Sequence, residues 1–212
     1  MTVADHDTTD GDTTDGADAD RLRADVYRLL AQTLAAPPSP VLLALLGDLR
    51  GDATPLGTAF DDLAAAARDC DPKRAEREHN ALFIGVVQGE LVPYASYYRT
   101  GFLSDRPLAA FRADLHAIGF ERAPGVAEPE DHIASLCETM AALILDRASL
   151  AVQRHIFARH LAPWAGNFFG DLERAASAVL YRPVGTIGRL FLSIEKDAFA
   201  MLEAPAPQEA DA

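Results

Sequence analysis

The chain has 212 residues, 49% of them hydrophobic, and a formal net charge of -13, which suits one ordinary domain able to close a core without disulfides or metal. The charge is uneven: residues 1–20 hold seven aspartates and no Lys or Arg, so this tail carries -7 and the remaining body -6. An acidic body excludes a nucleic-acid binder that works by phosphate neutralisation, and two distant cysteines, Cys70 and Cys137, exclude a secreted disulfide scaffold.

The tail 1–20, rich in Asp, Thr and Gly, buries too little apolar surface to offset chain entropy and is expected to be disordered. Asp20 is the expected cap of a first helix to about Leu34, with Leu22, Val26, Leu29, Leu30 and Leu34 on one face. "AAPPSP" stops it. Short helices follow over 40–49 and 58–70. "CDPKRAEREHNALF" reads as a cap at Asp71, Pro72 at the first helical position and a helix to about Phe83. Residues 84–102, with Gly85, Gly89, Pro93 and Gly101 among tyrosines, read as a long functional loop.

Helix resumes near Pro107, where Leu108, Phe111, Leu115 and Ile118 keep helical spacing. A second loop spans 119–128, and helices are expected over 129–148, 150–161, 163–181 and 184–202. The last has Ile187, Phe191, Ile194 and Ala198 as its buried stripe. Residues 203–212 form a polar tail expected to fray. The reading is an all-α, bundle-like single domain over 21–202, of about eight helices with two long loops. The first 20 residues lack a basic start and apolar core, and "VLLALL" at 41–46 is too short to span a bilayer, so a cytoplasmic protein without stable membrane insertion is expected.

Little catalytic chemistry is on offer. On an ideal α-helix His155 and His160, five residues apart, point about 140° apart and cannot share a ligand face. No GxSxG elbow, Walker loop or dinucleotide fingerprint occurs, so no catalytic residue, metal ligand or cofactor is assigned. "EPEDHIASLCETM", from Glu128 to Met140, is the densest chemical stretch. It reads as a helix N-terminus, with Pro129 at the first position and Glu130 and Asp131 facing the helix dipole. It also reads as a binding lip, because that helix start leaves His132 and the tyrosine-rich "LVPYASYYRTG" unexplained. An Asp131/His132 acid–base dyad is the enzymatic alternative.

"EHNALFIG", "PYASYY", "EPEDHIASL" and "HLAPWAGNFFGDLERA" follow one another in an order and spacing that resembles the TorD/DmsD/NarJ-type chaperones for redox enzymes, over roughly residues 22–202. The resemblance implies an all-helical cytoplasmic protein that is not an enzyme. It would bind the twin-arginine signal peptide of a molybdenum- or tungsten-containing oxidoreductase subunit and delay export until that subunit is loaded and assembled. Carried onto this chain, the binding surface would comprise Leu82, Phe83, Pro93, Tyr94, Ser96, Tyr98, Glu128, Pro129, Asp131 and His132. Val86, Val92 and Tyr97 depart from the residues common in the family at those positions. The resemblance further implies a monomer or domain-swapped dimer, with the leader and the oxidoreductase catalytic subunit as partners. Asp131 would accept an arginine of the leader in a two-point hydrogen bond. A structural subunit of a membrane oxidoreductase complex is the main rival to the chaperone role.

Overall fold

In the computed structural model, residues 10–121 and 128–202 are described. Among them are ten α-helices: α1 (Asp10–Ala35), α2 (Pro40–Gly47), α3 (Pro55–Arg68), α4 (Pro72–His79), α5 (Ala95–Thr100), α6 (Arg106–Ala117), α7 (Ile133–Leu145), α8 (Leu150–Ile156), α9 (Ala165–Arg174) and α10 (Tyr181–Met201). Two π-helical turns, Asn80–Ile84 and Phe157–Leu161, extend α4 and α8. The described residues contain no strand, and one isolated antiparallel bridge pairs Tyr94 with His132.

Three helices start by the same device. Ser39, Thr54 and Asp71 each precede a proline, and each cap oxygen accepts the backbone N–H of Leu42, Gly57 or Arg74 at 3.1, 3.0 and 2.9 Å. Proline suits the first position because its missing donor would have no intrahelical partner there, and the cap satisfies one orphaned amide.

α1 lies along α7, α10 lies along both α9 and α3, and α2 covers α3. The core between them is apolar: Tyr27, Leu30 and Leu34 from α1, Leu136, Met140 and Ile144 from α7, Phe168, Phe169 and Leu172 from α9, and Val184, Ile187 and Phe191 from α10 are all buried. At α10 the small residues permit close approach. A Cβ on Gly185 would stand 2.6 Å from Glu173 N, and one on Gly188 would stand 2.3 Å from the Phe169 ring.

Several boundaries differ from the sequence expectations. α1 begins at Asp10, ahead of the expected cap at Asp20, while residues 1–9 and 203–212 lie outside the described residues. Its buried face is Ala24, Tyr27, Leu30, Ala31 and Leu34, and Leu22 is exposed. The expected loop 84–102 contains α5, and most of the expected loop 119–128 lies outside the described residues. The expected helix 163–181 is interrupted at 175–180, where no Gly or Pro forecasts a stop. Two distant carboxylates cause the break. Glu78 accepts the N–H groups of Val179 and Tyr181 at 2.7 and 2.8 Å, and Glu90 accepts those of Ala176 and Ser177.

The stripe of α10 also turns: Ile194 and Ala198 are exposed, and Glu195 and Phe199 are buried in their place. Glu195 faces inward because Arg23 of α1 donates to both its oxygens, Nε to Oε1 at 2.7 Å and the guanidinium's second arm to Oε2 at 2.9 Å, while the Tyr27 hydroxyl donates to Oε2 at 3.1 Å. A buried carboxylate is tolerated when its acceptor sites are filled in this way.

Candidate functional site

Two segments that are far apart in sequence meet in front of α7. Ala95 donates its backbone N–H to the Asp131 carbonyl at 3.0 Å, and Ile133 donates to the Pro93 carbonyl at 2.9 Å, which closes the Tyr94–His132 bridge. "PYASYY" and "EPEDH" are thus one structural unit. The Tyr94 ring stands edge-on to the His132 ring at 5.1 Å, and the Tyr94 hydroxyl donates to the Glu128 carboxylate. Burial first, then Glu128, pushes the Tyr94 phenol above its ordinary pKa.

α7 does not start at Pro129. His132 is its cap: Nδ1 accepts the Ala134 backbone N–H at 3.1 Å, and the helix begins at Ile133. Glu130 is therefore outside the first turn, and Arg112 of α6 donates to it at 2.7 and 2.9 Å. The imidazole is 8% exposed, and loss of hydration holds its pKa down at about 4 despite the nearby Glu128 and Asp131 carboxylates. His132 is a neutral cap at physiological pH.

Asp131 does not face an open groove. It is 1% exposed and its Oδ2 accepts the Ser96 backbone N–H at 2.8 Å, which caps the entry of α5 from across the bridge. The physical reason is that the bridge turns the residue inward, where it satisfies an amide that would otherwise be buried and unpaired, a loss of about 1–3 kcal/mol. Its Oδ1 and the Ser96 hydroxyl oxygen are both buried without a partner. Asp131 and His132 thus both hold backbone N–H groups.

The other expected site residues divide into core and surface. Leu82 is fully buried, and its carbonyl accepts the Leu91 N–H at 2.7 Å, which closes the loop after the π turn. Gly85 opens that loop with φ +63°, a left-handed conformation disfavoured for residues with a Cβ. Phe83 is half-buried, edge-on to His79 at 5.0 Å and to Tyr181 at 5.4 Å. Pro93 and Ser96 are buried, Pro129 is half-buried and Glu128 is exposed. Tyr98 packs on Trp164 and Phe168 and donates to Asp171 Oδ2 at 3.1 Å, so it belongs largely to the core.

Beside the bridge lies a groove of ≈ 330 Å³ between α6 and α7. Phe111, Leu115, Phe120 and Ala142 supply apolar lining, and Glu121, Glu128, Glu130, Glu138 and Arg112 supply the charge. Sequence reasoning missed Glu121 and Glu138. The available signal was the stripe Ser135, Glu138, Thr139 and Ala142, which keeps a +3, +1, +3 spacing along α7. A larger depression of ≈ 880 Å³, between the start of α1 and the α7–α8 corner, mixes Asp20 and Asp25 with Arg21, Arg28 and Arg147 and includes none of the expected residues.

The two histidines judged unable to share a face do share a partner. Nε2 of His155 and Nε2 of His160 lie 3.2 and 2.7 Å from the same oxygen of Asp114. The π turn explains this: its i→i+5 hydrogen bonding widens the helix at Phe157–Leu161 and narrows the angle between His155 and His160 from that of an ideal α-helix. Among the described residues no group of three or more His, Cys, Asp or Glu is arranged to hold a metal ion. Nor does any described helix have the length and apolarity to cross a membrane.

Comparison with known proteins adds three findings. Residues 49–170 match the nitrate reductase delta subunit family. The chain is 30% identical over 132 residues to the chaperone protein YcdY of Escherichia coli K12, covering 60% of this chain and 66% of that protein, just under two thirds of the relative's length. The fold is similar to the crystal structure of a protein described as a redox enzyme maturation protein from Archaeoglobus fulgidus, with a TM-score of 0.55 at 20% identity, over 81% of this chain and 94% of that one.

Proposed function

Since the chain belongs to the nitrate reductase delta subunit family, we propose that it is a cytoplasmic maturation chaperone that is not itself an enzyme. It binds the twin-arginine leader of a molybdenum- or tungsten-containing oxidoreductase subunit and holds that subunit back until it is loaded and assembled. One observation carries the reading: the Tyr94–His132 bridge joins the two motif segments beside a groove that is both apolar and acidic. A leader offers the matching chemistry, two guanidiniums followed by an apolar stretch. The accessible parts of the binding surface are Tyr94, Glu128, Pro129 and Phe83. Asp131, Ser96, Pro93, Leu82 and the His132 cap hold that surface in shape, and Tyr98 anchors it to the core.

Calorimetric titration with a synthetic twin-arginine leader tests this. Exposed charge pairs are screened over about 8 Å at physiological ionic strength, so affinity should fall as salt rises and fall further when the arginine pair is replaced by alanines. Equal affinity for both peptides at every salt concentration would remove the arginine–carboxylate basis of the reading. The family's description as a delta subunit favours a second reading, a lasting subunit of the assembled oxidoreductase. Retention of this chain in the purified, exported enzyme would support that reading over transient chaperoning.

A further inference from the structure

We propose that the α6–α7 groove, rather than Asp131, seats the arginine pair of the leader, with Glu121 and Glu138 as the carboxylates that meet it. This inference rests on the leader-binding reading above. Asp131 is 1% exposed and already accepts the Ser96 N–H, so reaching it would require opening the Tyr94–His132 bridge. Glu121 and Glu138 are exposed and line the groove as it stands. Arg112, the one cation among the described residues lining the groove, is ion-paired to Glu130 at 2.7 Å, so none of those residues offers a free cation to Glu121 or Glu138. Phe120 and Leu115 line the same groove and offer apolar surface to the residues that follow the arginines.

Charge also decides the occupant. Residues 1–20 carry seven aspartates and residues 203–212 three acids, and neither segment has a Lys or Arg, so both are repelled from a groove rimmed by glutamates. A second copy of a chain with net charge -13 is disfavoured for the same reason. A basic segment with an apolar continuation fits both features of the groove. Guanidinium suits it better than ammonium, because a planar fork can engage a carboxylate through two parallel hydrogen bonds.

The test compares E121K/E138K with D62K/D197K, a pair of exposed acids on α3 and α10 that gives the same change in net charge. Fluorescence anisotropy of a labelled twin-arginine leader reads binding, and circular dichroism reads folding. The expected result is a loss of at least about tenfold in affinity for the groove variant, with the remote variant near wild type. Equal weakening by both variants would reduce the effect to overall charge and overturn the groove assignment. Wild-type affinity in the groove variant would overturn it too, while leaving leader binding elsewhere on the surface intact. If the groove variant loses helicity, E121Q/E138Q decides instead, because it removes both charges with little change of shape. Failure of the wild-type chain to bind the leader would sink the leader-binding reading itself, and the seat with it.

Discussion

Residue numbers 131 and 132 illustrate how one dipeptide can hold two loops together. Asp131 caps across the bridge to Ser96, and His132 caps forward to Ala134. Three buried histidines, His79, His132 and His160, all have their pKa lowered, in each case chiefly by loss of hydration. The consequence for stability has a definite sign. For His132 the unfolded chain takes up its proton near pH 6.5, whereas the folded chain resists until about pH 4. Between those values the unfolded state binds more protons, so stability rises with pH and is lost as pH falls through the window. Urea midpoints should therefore hold near neutral pH and drop progressively below about pH 6. His132→Asn keeps a capping acceptor and removes the titration, so its decline should be shallower. A pH dependence identical to wild type would show that His132 is not among the groups responsible.

At the scale of elements, the helices most readable in the sequence are those with local punctuation. Ser39-Pro40, Thr54-Pro55 and Asp71-Pro72 each carry cap and first position side by side. The elements misread are those set by partners distant in the chain: the break at 175–180, held by Glu78 and Glu90, and the rotation of α10, held by Arg23. The α9–α10 contact gives a sharp expectation. Gly185→Ala places a methyl 2.6 Å from Glu173 N and 2.9 Å from Phe169 O, backbone atoms that cannot move aside separately, so it should destabilise by about 1–3 kcal/mol. Gly166→Ala, on α9 with nothing within 4 Å, should be neutral or stabilising by up to about 1 kcal/mol. Paired urea unfolding of the two variants measures both. Equal effects would mean that the two helices do not approach as closely as described.

For the molecule as a whole, α1 is tied to α10 by Arg23 and Glu195 and packs along α7, while the part of α1 at residues 16–19 is exposed. A chain that begins at Asp20 keeps Arg23, its ion-pair partners Asp20 and Glu195, and Tyr27. It should retain its helical circular dichroism and melt within about 4 °C of full length, equivalent to roughly 1 kcal/mol for a domain of this size. A large loss of helix or a much lower melting temperature would show that residues before Asp20 contribute to the fold.

Helical class, most helix starts and the two motif segments were legible from sequence, because caps, prolines and apolar spacing act within a turn or two of the chain. "PYASYY" and "EPEDH" could be singled out together as a candidate site, but whether a given side chain in them faces solvent could not be read. That depends on the Tyr94–His132 bridge, which forms between residues 38 positions apart in the numbering and turns Asp131 inward. The convergence of His155 and His160 on Asp114 was hidden likewise, since a π turn changes the helical repeat. Only the tertiary structure placed Glu121 and Glu138 on one apolar groove, because a groove belongs to two helices at once and its charge is the sum of side chains contributed by both and by the segments flanking them.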